Sequence, residues 1–298
     1  MYDIADLETF IEVVERGGVT AAAHALDIAP STVSHRIAKI EKRLRTRLFH
    51  RDSRHFSPTD DGRQFWMRAR DIVEALREAE QEAMGGASGV RGVLKVTLPP
   101  WVMNAFVAPR LAAFQADNPD LALEFLTTDR FVNLVEERQD LGVRVGALSD
   151  SALRAQKIAD NERVICASPN YLRKAGEPTS IDALERHLFV VLPWQRSLVL
   201  NADAGGTRAI TPAHRIILTD AEALTSAALN DVGLVVKSRL AISAPLAEGR
   251  LVEVLPGALA DASAPIHLIR TGATPPPRKV SVFSDFLRDV FATRGANR

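Results

Sequence analysis

Residues 26–51, LDIAPSTVSHRIAKIEKRLRTRLFHR, restrict the possible folds more than any other stretch of the chain. Pro30 disfavours helical geometry at Ala29 and suits the first turn of a new helix, where its missing N–H costs nothing. From there Val33, Ile37, Ile40 and Leu44 recur at spacings of 4, 3 and 4, one face of an α-helix. The opposite face carries Thr32, His35, Arg36 and Lys39, with Ser31 and Ser34 near the start. Between positions 36 and 54 eight cations (Arg36, Lys39, Lys42, Arg43, Arg45, Arg47, Arg51 and Arg54) stand against two acids, Glu41 and Asp52. Such a run is usually a solvated face, so what precedes and follows it decides its meaning.

Upstream, Leu7, Phe10, Ile11 and Val14 recur at helical spacing, and Gly17-Gly18 end that helix. TAAAHAL (20–26) is a second short helix whose alanines admit a close neighbour. A short helix, a tight turn and a helix whose polar face opens with hydroxyls and turns basic make a helix-turn-helix. Short polar side chains at its start reach base edges, while Arg and Lys pair with phosphates. RLFHRDSRHFSPT (47–59) then offers two extended pieces around Asp52-Ser53, a hairpin wing carrying Arg51 and Arg54. The competing reading is a helix-rich domain with an exposed basic edge.

The ordered set of residues closely resembles the winged helix-turn-helix of LysR-type transcriptional regulators. The resemblance rests on Thr20-x-Ala22-Ala23-x-x-Leu26, Ser34-x-x-Ile37-x-x-Ile40-Glu41, Leu48-Phe49-x-Arg51 and Pro58-Thr59-x-x-Gly62. Members of that family often have Ser-Gln-Pro or Ser-Gln-Ser where this chain has Ala29-Pro30-Ser31, so a base-reading glutamine is absent. The DNA-contacting set is then Ser31, Thr32, Ser34, His35, Arg36, Lys39, Arg51 and Arg54.

Beyond Gly62 a helical pattern runs without Gly or Pro to position 84, with Phe65, Ala69, Ile72, Leu76, Ala79 and Ala83 as a heptad seam. The seam suits pairing with a second copy; packing against the chain's own N-terminal domain is the alternative. In the family this is the linker helix that pairs two DNA-binding domains, and the dimer is expected to assemble into a tetramer. GGASGVRG (85–92) reads as a hinge.

The rest alternates short apolar runs with amphipathic stretches, which argues α/β layers. VLKVTL (93–98), LALEFL (121–126), LGVRVG (141–146), ERVICAS, HLFVVL, HRIILT and VGLVV read as strands. Phe106 to Phe114, Ala221–Leu229 and Lys279–Phe291 read as helices, and Phe131, Leu134 and Val135 suggest another. GVLKVTLPP, APRLAAFQADNPDLALEF, ICASPNYLRKAG and AALNDVGLVV extend the resemblance to the family's effector-binding domain, two α/β lobes around a cleft like those of periplasmic solute-binding proteins.

The expected organisation is a winged helix-turn-helix at 1–61, a linker helix and hinge at 62–89, and an effector domain at 90–298. Within the last, lobe I takes 90–162 and 268–298, and lobe II takes 163–267. The resemblance puts Thr97, Pro100, Trp101, Thr127, Thr128, Arg144, Trp194 and Asp220 beside the ligand. Each has a plainer alternative where the residues are read alone. Trp101 and Trp194 either stack on a flat ligand or fill the cleft, and Arg144 either holds a carboxylate or pairs with Asp140 or Asp129. Asp220 is either a contact or the N-cap of 221–229.

Composition narrows the classes. At 298 residues the chain has room for about two domains. Thirty-seven basic residues balance thirty-seven acidic ones, so only the local excess speaks for a polyanion. One cysteine, Cys166, excludes an internal disulfide and a cysteine-rich metal site. No Gly-x-Ser-x-Gly elbow, phosphate loop or His-Glu-x-x-His motif is present, so no catalytic role and no cofactor are expected. No basic leader with an apolar core, nor an uncharged apolar run of membrane-spanning length, occurs, and a cytoplasmic protein is expected. The expected partners are a double-stranded DNA operator, a small anionic or aromatic effector, further copies of the chain, and RNA polymerase. An enzyme fused to a DNA-binding module and a ligand-free architectural DNA-binding protein are the competing functions.

Overall fold

A computed structural model describes residues 2–52, 55–83, 89–148, 154–202, 205–212, 215–270 and 276–295, with the backbone alone at 51, 52, 55, 56, 78, 81–83 and 293–295. Three helices open the chain: α1 (Ile4–Arg16), α2 (Val19–Leu26) and α3 (Pro30–Leu44). Asp3 and Asp6 form a reciprocal capping box at the start of α1, and Gly17 ends it in the left-handed region at φ 73°. Pro30 opens α3 after an extended Ala29, as its fixed φ favours. Leu7, Phe10, Val13, Ala22, Ala23, Val33, Ile37 and Ile40 are buried together in one core.

A hairpin of β1 (Phe49–Asp52) and β2 (His55–Pro58) follows, then the long helix α4 (Asp60–Ala83). Gly62 is required where α4 leaves the wing, because a Cβ there would lie 2.0 Å from the Leu48 carbonyl oxygen. The seam of α4 is divided. Ala69 is fully buried against the N-terminal core, with Trp66 and Val73 beside it, whereas Ile72 and Leu76 are 54% and 37% exposed. The seam therefore leaves the core beyond Ala69 and presents Ile72 and Leu76 to solvent, while Val73 stays packed.

Lobe I begins with β3 (Gly92–Leu98), α5 (Pro100–Val102), a single π-turn at Met103–Val107, α6 (Ala108–Asp117), β4 (Leu121–Thr127), β5 (Leu141–Val145) and β6 (Arg154–Ala159). Lobe II comprises β7 (Arg163–Ala167), α7 (Pro169–Ala175), α8 (Ile181–Leu184), β8 (Phe189–Val191), β9 (Leu198–Asn201), β10 (Thr207–Ile210), β11 (Arg215–Ile217), α9 (Ala221–Leu229), β12 (Leu234–Ser238), α10 (Ser243–Ala247) and β13 (Val252–Glu253). The chain then returns to lobe I as β14 (Ile266–Arg270) and α11 (Arg278–Gly295).

Each lobe has a five-stranded mixed sheet, in the orders β4-β3-β5-β14-β6 and β11-β8-β12-β7-β13. The observed class is thus α/β with an N-terminal winged helix-turn-helix. Val280, Phe283, Leu287 and Val290 of α11 share one core with Leu94, Val96, Leu98 and Phe106. The return strand enters the lobe I sheet at Ile266, two residues before the expected crossing, because Ile266 and Leu268 both point into that core.

One further expectation needs revision. Residues 131–139 form turns instead of a helix. Asn133 turns its side-chain oxygen to the Val135 N–H, and Arg138 adopts φ 53°; both conformations break a helical run. The strands β6, β9, β10, β13 and β14 have no counterpart among the expected strands.

Candidate functional site

Two surfaces concern function, and the first is the exposed face of α3. Ser31, Ser34 and His35 are exposed and Thr32 is half-buried, while Val33, Ile37 and Ile40 hold the opposite face in the core. The short polar groups at the start of α3 thus lie open to a partner. Arg36 and Lys39 are placed otherwise. Arg36 donates to Ala5 O at 3.2 Å and Thr9 Oγ1 at 2.9 Å, and Lys39 Nζ lies 2.6 Å from Asp6 and 3.6 Å from Asp3. These two cations join α3 to the acidic start of α1, and their charges are already partnered within the protein. Arg51 lies on β1 with only its backbone described, and Arg54 falls outside the described residues.

Glu41 plays a part that charge counting misses. It is buried on the inner side of α3, and Oε1 accepts the Leu48 N–H at 2.8 Å. A buried carboxylate holding backbone donors fixes the wing relative to the reading helix. The sequence signal was an acid inside an otherwise basic run.

The second surface is the cleft between the lobes. β3, β4 and β5 run parallel, so Leu98, Thr127 and Val145 end at one edge, the usual ligand side of such sheets. Thr97 is fully buried there, and its hydroxyl has no hydrogen-bond partner among the described residues. Thr127 is exposed, and the half-buried Thr128 accepts the Arg130 N–H. Pro100 opens α5 and is half-buried. Trp101 is 6% exposed and stands edge-on to Phe106 at 5.8 Å, so its ring belongs to the lobe I core. That placement matches the cleft-filling reading of the ring. Trp194, after β8, is 58% exposed on the other lobe.

Arg144 is 9% exposed and has no carboxylate partner among the described residues. Asp140 is engaged by Arg70 at 2.7 Å, and Asp129 accepts the Ala221 N–H at 2.9 Å, so neither serves as its counter-ion. The guanidinium donates to Val143 O and Val132 O, lies 5.6 Å from the Phe131 ring centre, and leaves Nε without a partner. Burial pushes its pKa below the ordinary value, though an arginine stays charged. A buried cation without an acid is suited to an anion. Asp220 is the N-cap of α9, accepting the Glu222 N–H at 2.8 Å, as its plainer reading held.

Three residues of the cleft and its hinge had no distinctive sequence signal. Asp129 crosses from lobe I to cap the first residue of α9. Lys237 is 4% exposed, donates to Ala221 O at 2.6 Å, and is pushed below the ordinary lysine range by burial against the pull of Glu222 and Asp129. Asn161 ties the two crossing segments together through Ala264 O at 2.8 Å and Ser238 Oγ at 3.1 Å. Cys166 is fully buried with its thiol pushed up to about 12, which makes it inert.

Comparison with known proteins finds matches to both parts of the chain. The profile for "Bacterial regulatory helix-turn-helix protein, lysR family" matches residues 4–63, and that for "LysR substrate binding domain" matches residues 87–292. The HTH-type transcriptional regulator CrgA of Neisseria meningitidis serogroup B is 32% identical over 287 residues, covering 95% of this chain and 95% of that protein. The HTH-type transcriptional regulator DmlR of Escherichia coli K12 is 32% identical over 302 residues, covering 98% and 95%. The solved structure of CrgA superposes with a TM-score of 0.62 at 29% identity, covering 97% of this chain and 99% of that one. A reading helix on a packed helix-turn-helix core, a two-lobed domain and matches along nearly the whole chain lead to one conclusion: the protein belongs to the LysR-type transcriptional regulators.

Proposed function

We propose that this regulator reads a double-stranded operator with Ser31, Thr32, Ser34 and His35 and responds to a small carboxylate held near Arg144. The observation that carries the first half is the open polar start of α3, whose other face is locked in the core. Arg51 and Arg54 in the wing supply phosphate contacts, with Arg36 and Lys39 positioning α3 on α1 and reaching the backbone only by exchanging partners.

Two copies pair along the open stretch of the α4 seam, where Ile72, Leu76 and Ala79 are exposed, and pairs join into a tetramer. The Arg144 guanidinium, with no carboxylate beside it among the described residues, and the Thr97 hydroxyl, with no hydrogen-bond partner among them, supply an anion seat, with Thr127, Thr128 and the exposed Trp194 around it. Pro100 and Asp220 shape the ends of α5 and α9 at its border. Ligand acts by favouring one lobe arrangement over another. Transcription then changes through DNA geometry or contact with RNA polymerase in the cytoplasm. The chain works by binding, without catalysis.

Among the described residues no helix is long and apolar enough to cross a membrane. The test is thermal denaturation of the full chain against a panel of aliphatic and aromatic carboxylates. A ligand at 100 times its Kd stabilises the fold by about 2.7 kcal/mol. Arg144→Ala should abolish the shift; an equal shift in the variant would remove Arg144 from the seat.

A further inference from the structure

One short segment, residues 128–140, touches lobe II, lobe I and the DNA-binding unit at once. At its start the Asp129 carboxylate crosses the cleft to the backbone N–H of Ala221, at 2.9 Å. Its middle is pinned to lobe I: Val132 and Leu134 are buried, and Val132 O accepts from Arg144. Turn hydrogen bonds from Glu137 to Asn133 O at 3.0 Å and from Gln139 to Leu134 O at 2.7 Å stiffen it. At its end Arg138, held at φ 53°, donates to the carbonyls of Val14 at 2.6 Å and of Glu15. Those carbonyls end α1, where the helix dipole is negative and acceptors lack helical partners. Asp140 closes the segment on Arg70 of α4, and Arg70 also reaches Glu15 at 3.5 Å.

The linker helix also meets lobe I through the ion pair of Lys279 with Glu74, at 3.2 Å. A forked guanidinium on two adjacent carbonyls fixes direction as well as distance. Because Arg36 bonds α3 to α1, whatever holds the end of α1 also orients the reading helix.

We propose that residues 128–140 are a strap that reports the state of the cleft to the DNA-binding unit, Asp129 sensing closure and Arg138 holding α1 accordingly. The proposal rests on the effector-sensing reading for its purpose, but the mechanical coupling can be measured without a ligand. When the lobes part, Asp129 loses the α9 N–H. The strap then loosens, and Arg138 slackens its hold on α1.

Hydrogen exchange read by mass spectrometry on the full-length protein tests this. Ala221→Pro deletes the N–H that donates to Asp129, at the first position of α9, where proline is tolerated. Asp220 before it already has φ −121° and ψ 124°, as a residue preceding proline needs. This variant should raise exchange roughly fivefold or more in residues 130–140 and in the last turn of α1. Coupling is reciprocal, so Arg138→Ala should raise exchange at the start of α9 as well as in α1. Should Ala221→Pro fail to fold, Asp129→Ala removes the same contact from the other side. Exchange that rises only beside each substitution, with the far end unaltered, would overturn the strap. Operator binding and ligand-induced stabilisation would be untouched by that result.

Discussion

The Glu41 carboxylate stands 2.8 Å from the backbone N–H of Leu48, and through that contact the reading helix holds the base of the wing. The acid is buried, so removing it leaves inward-facing amide donors without their acceptor. Glu41→Ala should destabilise the N-terminal unit by about 1.5–3 kcal/mol. Urea denaturation of the full chain would register this, and a change below the error of the extrapolation would dismiss the role.

Two tryptophans beside the cleft should behave in opposite ways. Trp101 is packed into the lobe I core, so Trp101→Ala should cost about 3–5 kcal/mol in stability. Trp194 is mostly exposed, so Trp194→Ala should leave the melting temperature nearly unaltered while weakening any ligand that stacks there. Comparable melting losses in the two variants would contradict the assignment.

The outer half of α4 presents Ile72 and Leu76 to solvent. Placing two charges there with the double variant Ile72→Glu and Leu76→Glu should convert the assembled protein to smaller species in sedimentation velocity. Each copy should keep its fold, because neither residue belongs to the N-terminal core. An unaltered sedimentation profile would assign the pairing surface elsewhere.

Stability should also depend on pH through lobe II. His187 is buried with Nδ1 3.1 Å from the Tyr171 hydroxyl, and burial pushes its imidazolium pKa below the ordinary value. The unfolded chain therefore takes up the proton first. The contribution to stability is fully present above about pH 6.5 and is lost as pH falls toward the folded-state value. Melting temperatures between pH 8 and 5 should fall less steeply in His187→Phe than in the parent; parallel curves would exclude His187 as the source.

The stripe Val33, Ile37, Ile40 was legible because a two-sided helix must repeat its apolar residues every three or four positions. Most buried strands of both lobes were legible for a similar reason, as continuous apolar runs between turns; β14 was not, because His267 and Arg270 interrupt its short apolar run. The segment after Phe131 misled because Phe131, Leu134 and Val135 mimic one helical turn, yet Asn133 and Arg138 divert the backbone. β6 is mostly exposed and polar, so it carries no alternation to read. The partners of Arg36, Lys39, Asp129 and Lys237 lie on other elements, and spacing along the chain says nothing about contacts that depend on how those elements pack.

The most direct test of operator reading by α3 is selection of binding sites from a random duplex pool at about 0.15 M salt, using the full-length protein. The account predicts enrichment of an inverted repeat whose half-sites are spaced by helical turns, with Ser34→Ala and His35→Ala changing the preference at particular base pairs. A pool that emerges unenriched, or an identical motif from the parent and both variants, would contradict it.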